Sequence, residues 1–247
     1  MILNLPIREV LPATPRAHIV RLDLDGHPFE YAAGQAVLVG NQGSETRKPY
    51  SIACAPEDAR RDGWIELLVG MDEDPQGGPP FTLRRGVTVD VEGPLGTFTF
   101  PAVDVEGPLG TFTFPAAPVE GRFLFIAGGS GIAPLRAMLR HALQIPHANV
   151  GLLYSARTPD DFAYESELRA LADAGHIELR QTVTRAGDTI DWRGARGRIG
   201  RVELGQLVHD AETLCFVCGP PALVDEVPKL LEEIGVCRSR IRIEEWS

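Results

Sequence analysis

The sequence predicts two domains of different class: an antiparallel β-barrel over residues 1–118 and a doubly wound α/β parallel-sheet domain over residues 119–247. Three observations lead there. The first half sets short apolar runs between Gly- and Pro-rich punctuation, as strands joined by turns require. The second half alternates continuous apolar runs with amphipathic stretches, the rhythm of βαβ units. A glycine-rich turn follows directly on the first of those runs.

In the first half, residues 17–24, 35–39, 50–53 and 64–69 read as strands, and Val87-Thr-Val-Asp-Val alternates with period two. No helical stripe is visible before residue 117. After residue 119, Phe123-Leu-Phe-Ile-Ala is an unbroken apolar run, as a parallel strand covered on both faces should be. Leu135, Met138, Leu139, Ala142 and Leu143 then fall on one helical face. Strands at 150–154, 177–183, 214–217 and 241–243 follow, with helices at 162–172, 202–208 and 222–234 between them. Pro228 inside the last helix predicts a bend.

A net charge of -10 speaks against nucleic acid or an anionic membrane surface as a main partner. The longest apolar stretch, near residues 123–135, holds three glycines and is short of the ~20 residues of a bilayer span. The start lacks a basic segment followed by an unbroken apolar run, so no leader and a cytoplasmic setting are expected. Four cysteines make no disulfide framework in a chain this long. The lone CxxC at Cys215 and Cys218 closes no tetrahedral site without further ligands, and no metal is expected.

The strand at 123–127 runs into Gly128-Gly129-Ser130-Gly131-Ile132-Ala133-Pro134. Glycines let backbone approach a pyrophosphate, and free N–H groups at a helix start attract anions. Pro134 is at home in a first helical turn, where a missing N–H costs nothing. Pro134 stands where the third glycine of GxGxxG would be, so this is a variant of that fingerprint.

Taken in order along nearly the whole chain, these motifs resemble the ferredoxin–NADP⁺ reductase family. Arg47-Lys48-Pro49-Tyr50-Ser51-Ile52 is similar to the family's flavin signature RxYS, which implies Tyr50 against the isoalloxazine and Ser51 near its N5. The family arginine is expected to hold the flavin pyrophosphate. The register here puts Lys48 two residues before Tyr50, with Arg47 one position further back, and lysine lacks the bidentate fork. Gly77, Gly78 and Thr82 lie where the family has a second flavin-phosphate motif, in a shortened, Pro-rich form. FAD is implied, with FMN as the alternative.

Cys218-Gly219-Pro220-Pro221 resembles the family's CGPP motif, which implies a cysteine beside the nicotinamide. The ending Glu244-Glu245-Trp246-Ser247 resembles its carboxylate-plus-aromatic tail, placing Glu245 with Ser51 and Cys218 among the reacting groups and Trp246 over the flavin. Arg157, Arg185 and Arg198 sit where a 2′-phosphate would be recognised, so NADPH is favoured over NADH. The resemblance implies transfer from NAD(P)H to bound flavin and on to an unidentified acceptor, a protein carrier or a small molecule. Alternatives are a free-flavin reductase and an electron-transfer or regulatory subunit of a larger complex.

Residues 89–102 are repeated without change as 103–116. The unit resembles the family's GPxGxF segment, needed once. The expectation is that one copy fills the native strand while the other is looped out or forms an extra hairpin.

Overall fold

A computed structural model describes residues 2–71, 81–95, 112–185 and 192–245. Gly77, Gly78 and Trp246 lie outside the described residues. The chain divides into two compact units: residues 1–116 together with Arg136–His141, and residues 117–135 together with 142–247.

The first unit contains β1 (Ile2–Thr14), β2 (Ala17–Asp23), β3 (Ala36–Asn41), β4 (Lys48–Ser51), α1 (Pro56–Asp62), β5 (Trp64–Gly70) and β6 (Thr88–Leu95). The strands form one sheet in the order β4-β3-β6-β1-β2-β5, every neighbouring pair antiparallel. Its two edge strands meet just beyond β4, where Ile52 bridges Leu67 and the Ala53 N–H donates to the Glu66 carbonyl (2.7 Å). That contact closes the sheet into a barrel. Inside it, Leu5, Val20, Leu22, Val37, Val39, Ile52, Ile65, Leu67 and Val89 are fully buried.

Two elements here correct the sequence expectation. β1 was not anticipated, because Pro6 and Pro12 break its alternation. It survives by changing partners: residues 2–6 pair with β6 and 7–14 with β2, with irregular register at Ile7/Glu9 and Pro12/Thr14. The helix α1 contradicts the reading that the first half is free of helix. Seven residues are too few to show a stripe, but the end signals are present. Pro56 opens it, Glu57 and Asp58 meet the positive end of its dipole, and Gly63 closes it at φ 75°.

The described residues include part of each copy of the repeat. Val89–Leu95 of the first copy lies in β6, whereas Phe112 and Phe114 of the second copy are both buried, with the Phe114 N–H donating to the Ala33 carbonyl (3.0 Å). Residues 96–111, the back of the first copy and the front of the second, lie outside the described residues, and with them the expectation that one copy is looped out or forms an extra hairpin.

The second unit holds β7 (Arg122–Gly128), α2 (Ile132–Ala142), β8 (Asn149–Ala156), α3 (Glu165–Asp173), β9 (Glu178–Val183), β10 (Ala195–Arg196), α4 (Arg201–Gly205), β11 (Leu214–Gly219), α5 (Pro221–Glu233) and β12 (Ile241–Glu245); the Arg136–His141 stretch of α2 belongs to the first unit. All strands are parallel, in the order β10-β9-β8-β7-β11-β12. The order reverses at β7, so the crevice at the carboxyl ends of β7 and β11 is where such sheets bind ligands. The helix α5 runs on through the buried Pro228.

Candidate functional site

The flavin signature lies on β4, paired with β3 so that Tyr50 stands opposite Val37 and Ser51 opposite Ala36. Period-two alternation puts Lys48 and Tyr50 on one face and Ser51 on the other. Tyr50 is half-buried, its ring edge-on to Phe81 with centroids 5.9 Å apart. Ser51 is 5% exposed, and its Oγ has no hydrogen-bond partner among the described residues. A buried hydroxyl without a partner is uncommon in a native fold. Its position at the end of the signature strand fits a ligand polar atom at that point, as a flavin would supply.

The two basic residues differ. Arg47 faces Asp90 (3.4 Å) and Glu92 (3.6 Å) of β6, and Asp90 also accepts the Gly43 N–H (2.9 Å). Its Nη1 and Nη2 thus face carboxylates, while its Nε is buried without a hydrogen-bond partner among the described residues. Lys48 is exposed and makes no ion pair among the described residues. Thr82 is exposed, its N–H donating to Asn41 Oδ1 (2.9 Å).

In the second unit, β7 ends at Gly128, a 3₁₀ turn covers Gly129–Gly131, and α2 starts at Ile132 with Pro134 in its first turn. Gly129 has φ +55°, and a Cβ there would meet nothing within 4 Å, so the turn borders open space. Gly131 is packed the other way, against the Cys218 backbone. Ser130 is exposed. This geometry suits a pyrophosphate lying over the turn. Tyr154, which sequence reading passed over, orients the loop: its buried hydroxyl donates to the Gly129 carbonyl (3.1 Å) and accepts the Ala163 N–H (3.3 Å). A tyrosine ending an aliphatic strand was the available signal, since a buried phenol needs a partner.

Cys218 is fully buried in β11, paired across β12 with Glu244, and Gly219 is paired with Glu245. Burial, aided by the Glu244 charge, pushes the Cys218 thiol well above its ordinary pKa. It is a neutral thiol at physiological pH. Pro220 caps α5 and is exposed, as is Glu245.

The carboxyl edge also gathers the arginines. Arg157 follows β8 and Arg185 follows β9, and the Arg185 N–H donates to the Arg157 carbonyl (2.8 Å). Both are exposed and make no ion pair among the described residues. Arg198 follows β10 and pairs with Glu226 at 3.3 Å.

A barrel carrying an aromatic–hydroxyl strand end, followed by a parallel sheet with a glycine turn at its switch point, defines the class of nicotinamide-dependent flavoprotein reductases. Residues 125–229 match the family model described as an oxidoreductase NAD-binding domain. The chain is 32% identical over 233 residues to ferredoxin–NADP reductase B of Sorangium cellulosum, covering 90% of this chain and 88% of that protein. The chain belongs to the ferredoxin–NADP reductase family. It is also similar in structure to a cytochrome P450 reductase from Amycolatopsis (TM-score 0.80, 25% identity, 99% of this chain and 69% of that one). The fold matches a ferredoxin NADP⁺ reductase from Neisseria gonorrhoeae with bound FAD and NADP (TM-score 0.73, 19% identity, 99% and 98% covered).

The family binds FAD and NAD(P), and the chain is an NAD(P)H-dependent flavoprotein oxidoreductase that passes electrons from NAD(P)H through flavin to an acceptor. No helix among the described residues is long and apolar enough to cross a membrane.

Proposed function

We propose that the chain is an NADPH-preferring, FAD-dependent reductase whose acceptor is a one-electron protein carrier of ferredoxin type. The buried Ser51 hydroxyl, without a hydrogen-bond partner among the described residues, is the observation that carries the flavin assignment. The carrier rests on the likeness to the Sorangium reductase. When bound, the flavin supplies the exchange between the two-electron nicotinamide and a one-electron partner.

The chain's own residues bind and orient. With flavin bound, Tyr50 would pack on the ring, Ser51 would donate to or accept from its reacting edge, and Lys48 would neutralise phosphate as a point charge, two nitrogens of Arg47 already facing Asp90 and Glu92. Thr82 would face the flavin phosphates; the flavin roles that the resemblance gives Gly77, Gly78 and Trp246 fall outside the described residues. On the nucleotide side, the turn Gly128–Gly131 receives the pyrophosphate and Arg157 with Arg185 the 2′-phosphate. Arg198 serves from the rim. Cys218, Gly219 and Pro220 bound the nicotinamide. Cys218 contributes shape and a dry wall, because its thiol stays protonated. Glu245 is the exposed carboxylate on that side.

The test is the visible spectrum of the purified protein, followed by anaerobic addition of NADPH and of NADH. Flavin bands that bleach faster with NADPH agree with the proposal. Equal efficiency with both coenzymes overturns the preference. Loss of flavin on gel filtration would replace the bound cofactor with a flavin substrate.

A further inference from the structure

The flavin-signature strand ends at the thinnest part of its barrel. β4 and β5 are the edges of the six-strand order, and among the described residues the backbone link between them is the bridge at Ile52 and Leu67 with the Ala53–Glu66 hydrogen bond. Ala53 is two residues beyond Ser51, so its carbonyl lies within about 7 Å of that residue along extended chain.

A side chain from much later in the sequence is set into this seam. Arg136, 7% exposed, donates from Nη1 to the Ala53 carbonyl (2.6 Å) and to Glu66 Oε1 (2.8 Å). Glu66 is 1% exposed, and its other oxygen accepts from Arg21 Nε (2.8 Å). The next residue is fixed as well: Cys54 Sγ accepts the Glu66 N–H (3.3 Å), and the Tyr31 hydroxyl donates to the Cys54 carbonyl (3.0 Å).

A buried ion pair is a weak route to stability, because an apolar pair of equal volume generally serves as well or better. What a guanidinium adds is direction: a planar fork that holds a carbonyl and a carboxylate at set angles. One acceptor lies just beyond β4 and the other on β5, on the two sides of the seam and next to the hydroxyl assigned to the flavin.

We propose that Arg136 is a positioning residue of the reductase, fixing through Ala53 and Glu66 the end of β4 and so the placement of the Ser51 hydroxyl toward the flavin. This rests on the proposed role of Ser51. Displacing a positioning group by about 1 Å can cost on the order of a hundredfold in rate.

The experiment compares FAD-loaded wild type with Arg136→Met, Arg136→Lys, Glu66→Gln and Ser51→Ala. The readouts are the visible flavin spectrum, the limiting rate of anaerobic flavin reduction, the NADPH concentration giving half that rate, and the melting temperature. Expected for Arg136→Met is a limiting rate down by about tenfold or more, a shifted flavin band, and half-saturation changed by less than about threefold. Arg136→Lys should recover part of the rate. Should Arg136→Met not fold, Arg136→Lys and Glu66→Gln carry the test, with losses in the same direction.

A lower melting temperature with wild-type rate and spectrum below the transition would overturn the proposal, leaving the seam a matter of stability. If Ser51→Ala keeps the wild-type rate, the flavin reading of Ser51 is what fails. If Ser51→Ala is slow and the Arg136 and Glu66 variants are not, the positioning role alone falls.

Discussion

The carbonyl oxygen of Cys218 lies 2.3 Å from the position a Cβ on Gly131 would occupy. No side chain fits there without moving β11 away from the turn, since the obstacle is backbone. Gly131→Ala should therefore lose roughly 1–3 kcal/mol of stability by overpacking and shift the phosphate turn, raising KM for NADPH steeply. Gly129→Ala meets open space and incurs only the left-handed backbone penalty, about 1–2 kcal/mol. Denaturant melts and KM values for the two variants check this. A Gly131→Ala protein with wild-type KM would show that the nucleotide does not depend on this packing.

Deleting residues 96–109 removes one repeat unit and joins Leu95 to Gly110, leaving every described residue in place. The span between Leu95 and Phe112 falls from 16 residues to two, which by loop-closure entropy is favourable by up to about 2 kcal/mol. The expected variant folds, retains flavin and melts no lower than wild type. A clear fall in melting temperature would mean that the deleted residues contribute packing of their own.

Acid should weaken the first unit through Asp58. Burial alone would raise its pKa, but the Arg140 guanidinium, bonded to it through Nε and through Nη2 (3.0 Å), together with Arg61, holds it below the ordinary carboxylate value. A carboxyl depressed in the folded state stabilises above its unfolded pKa, about 3.9, and that contribution is lost as pH falls through the lower folded value. Melting curves from pH 7 down to pH 3 should thus decline at the acid end for wild type and decline less for Asp58→Asn. Parallel curves would place the acid sensitivity elsewhere.

Coenzyme choice should follow Arg157 and Arg185. A charge-assisted hydrogen bond contributes about 1.5–3 kcal/mol, so replacing either by Ala should raise KM for NADPH by roughly tenfold or more. KM for NADH should hardly move. Steady-state kinetics with both coenzymes decide it, and an equal effect on both would remove the 2′-phosphate from consideration. Arg198→Ala should matter less, because that side chain already pairs with Glu226 at the surface.

Much of this molecule was readable in advance where one residue type has one physical use. The continuous run at Phe123, the glycines at 128–131 and the RKPYS segment each state their local geometry. β1 was hidden because its pattern serves two partner strands in turn, and α1 because seven residues cannot display periodicity. Arg136, Glu66 and Tyr154 escaped for another reason. Their meaning lies in contacts between distant parts of the sequence: Arg136 and Ala53 are 83 positions apart. A charged residue on an otherwise apolar helix face hints at burial with a partner but cannot name it.

The first unit also has a consequence for the protein's birth. Arg136 and Arg140, which answer the buried carboxylates of Glu66 and Asp58, follow the first strand of the parallel sheet in sequence. On the ribosome the barrel strands are all made by residue 116, yet two of its acidic groups gain their second arginine only from a helix that ends at residue 142. The nascent barrel is therefore incomplete at the very point where the sequence changes rhythm: a chain cut there would keep Arg21 on Glu66 and Arg61 on Asp58 but lack the second, later arginine of each pair. Synthesis order thus ties maturation of the first unit to the opening of the parallel-sheet unit, before any ligand has been met.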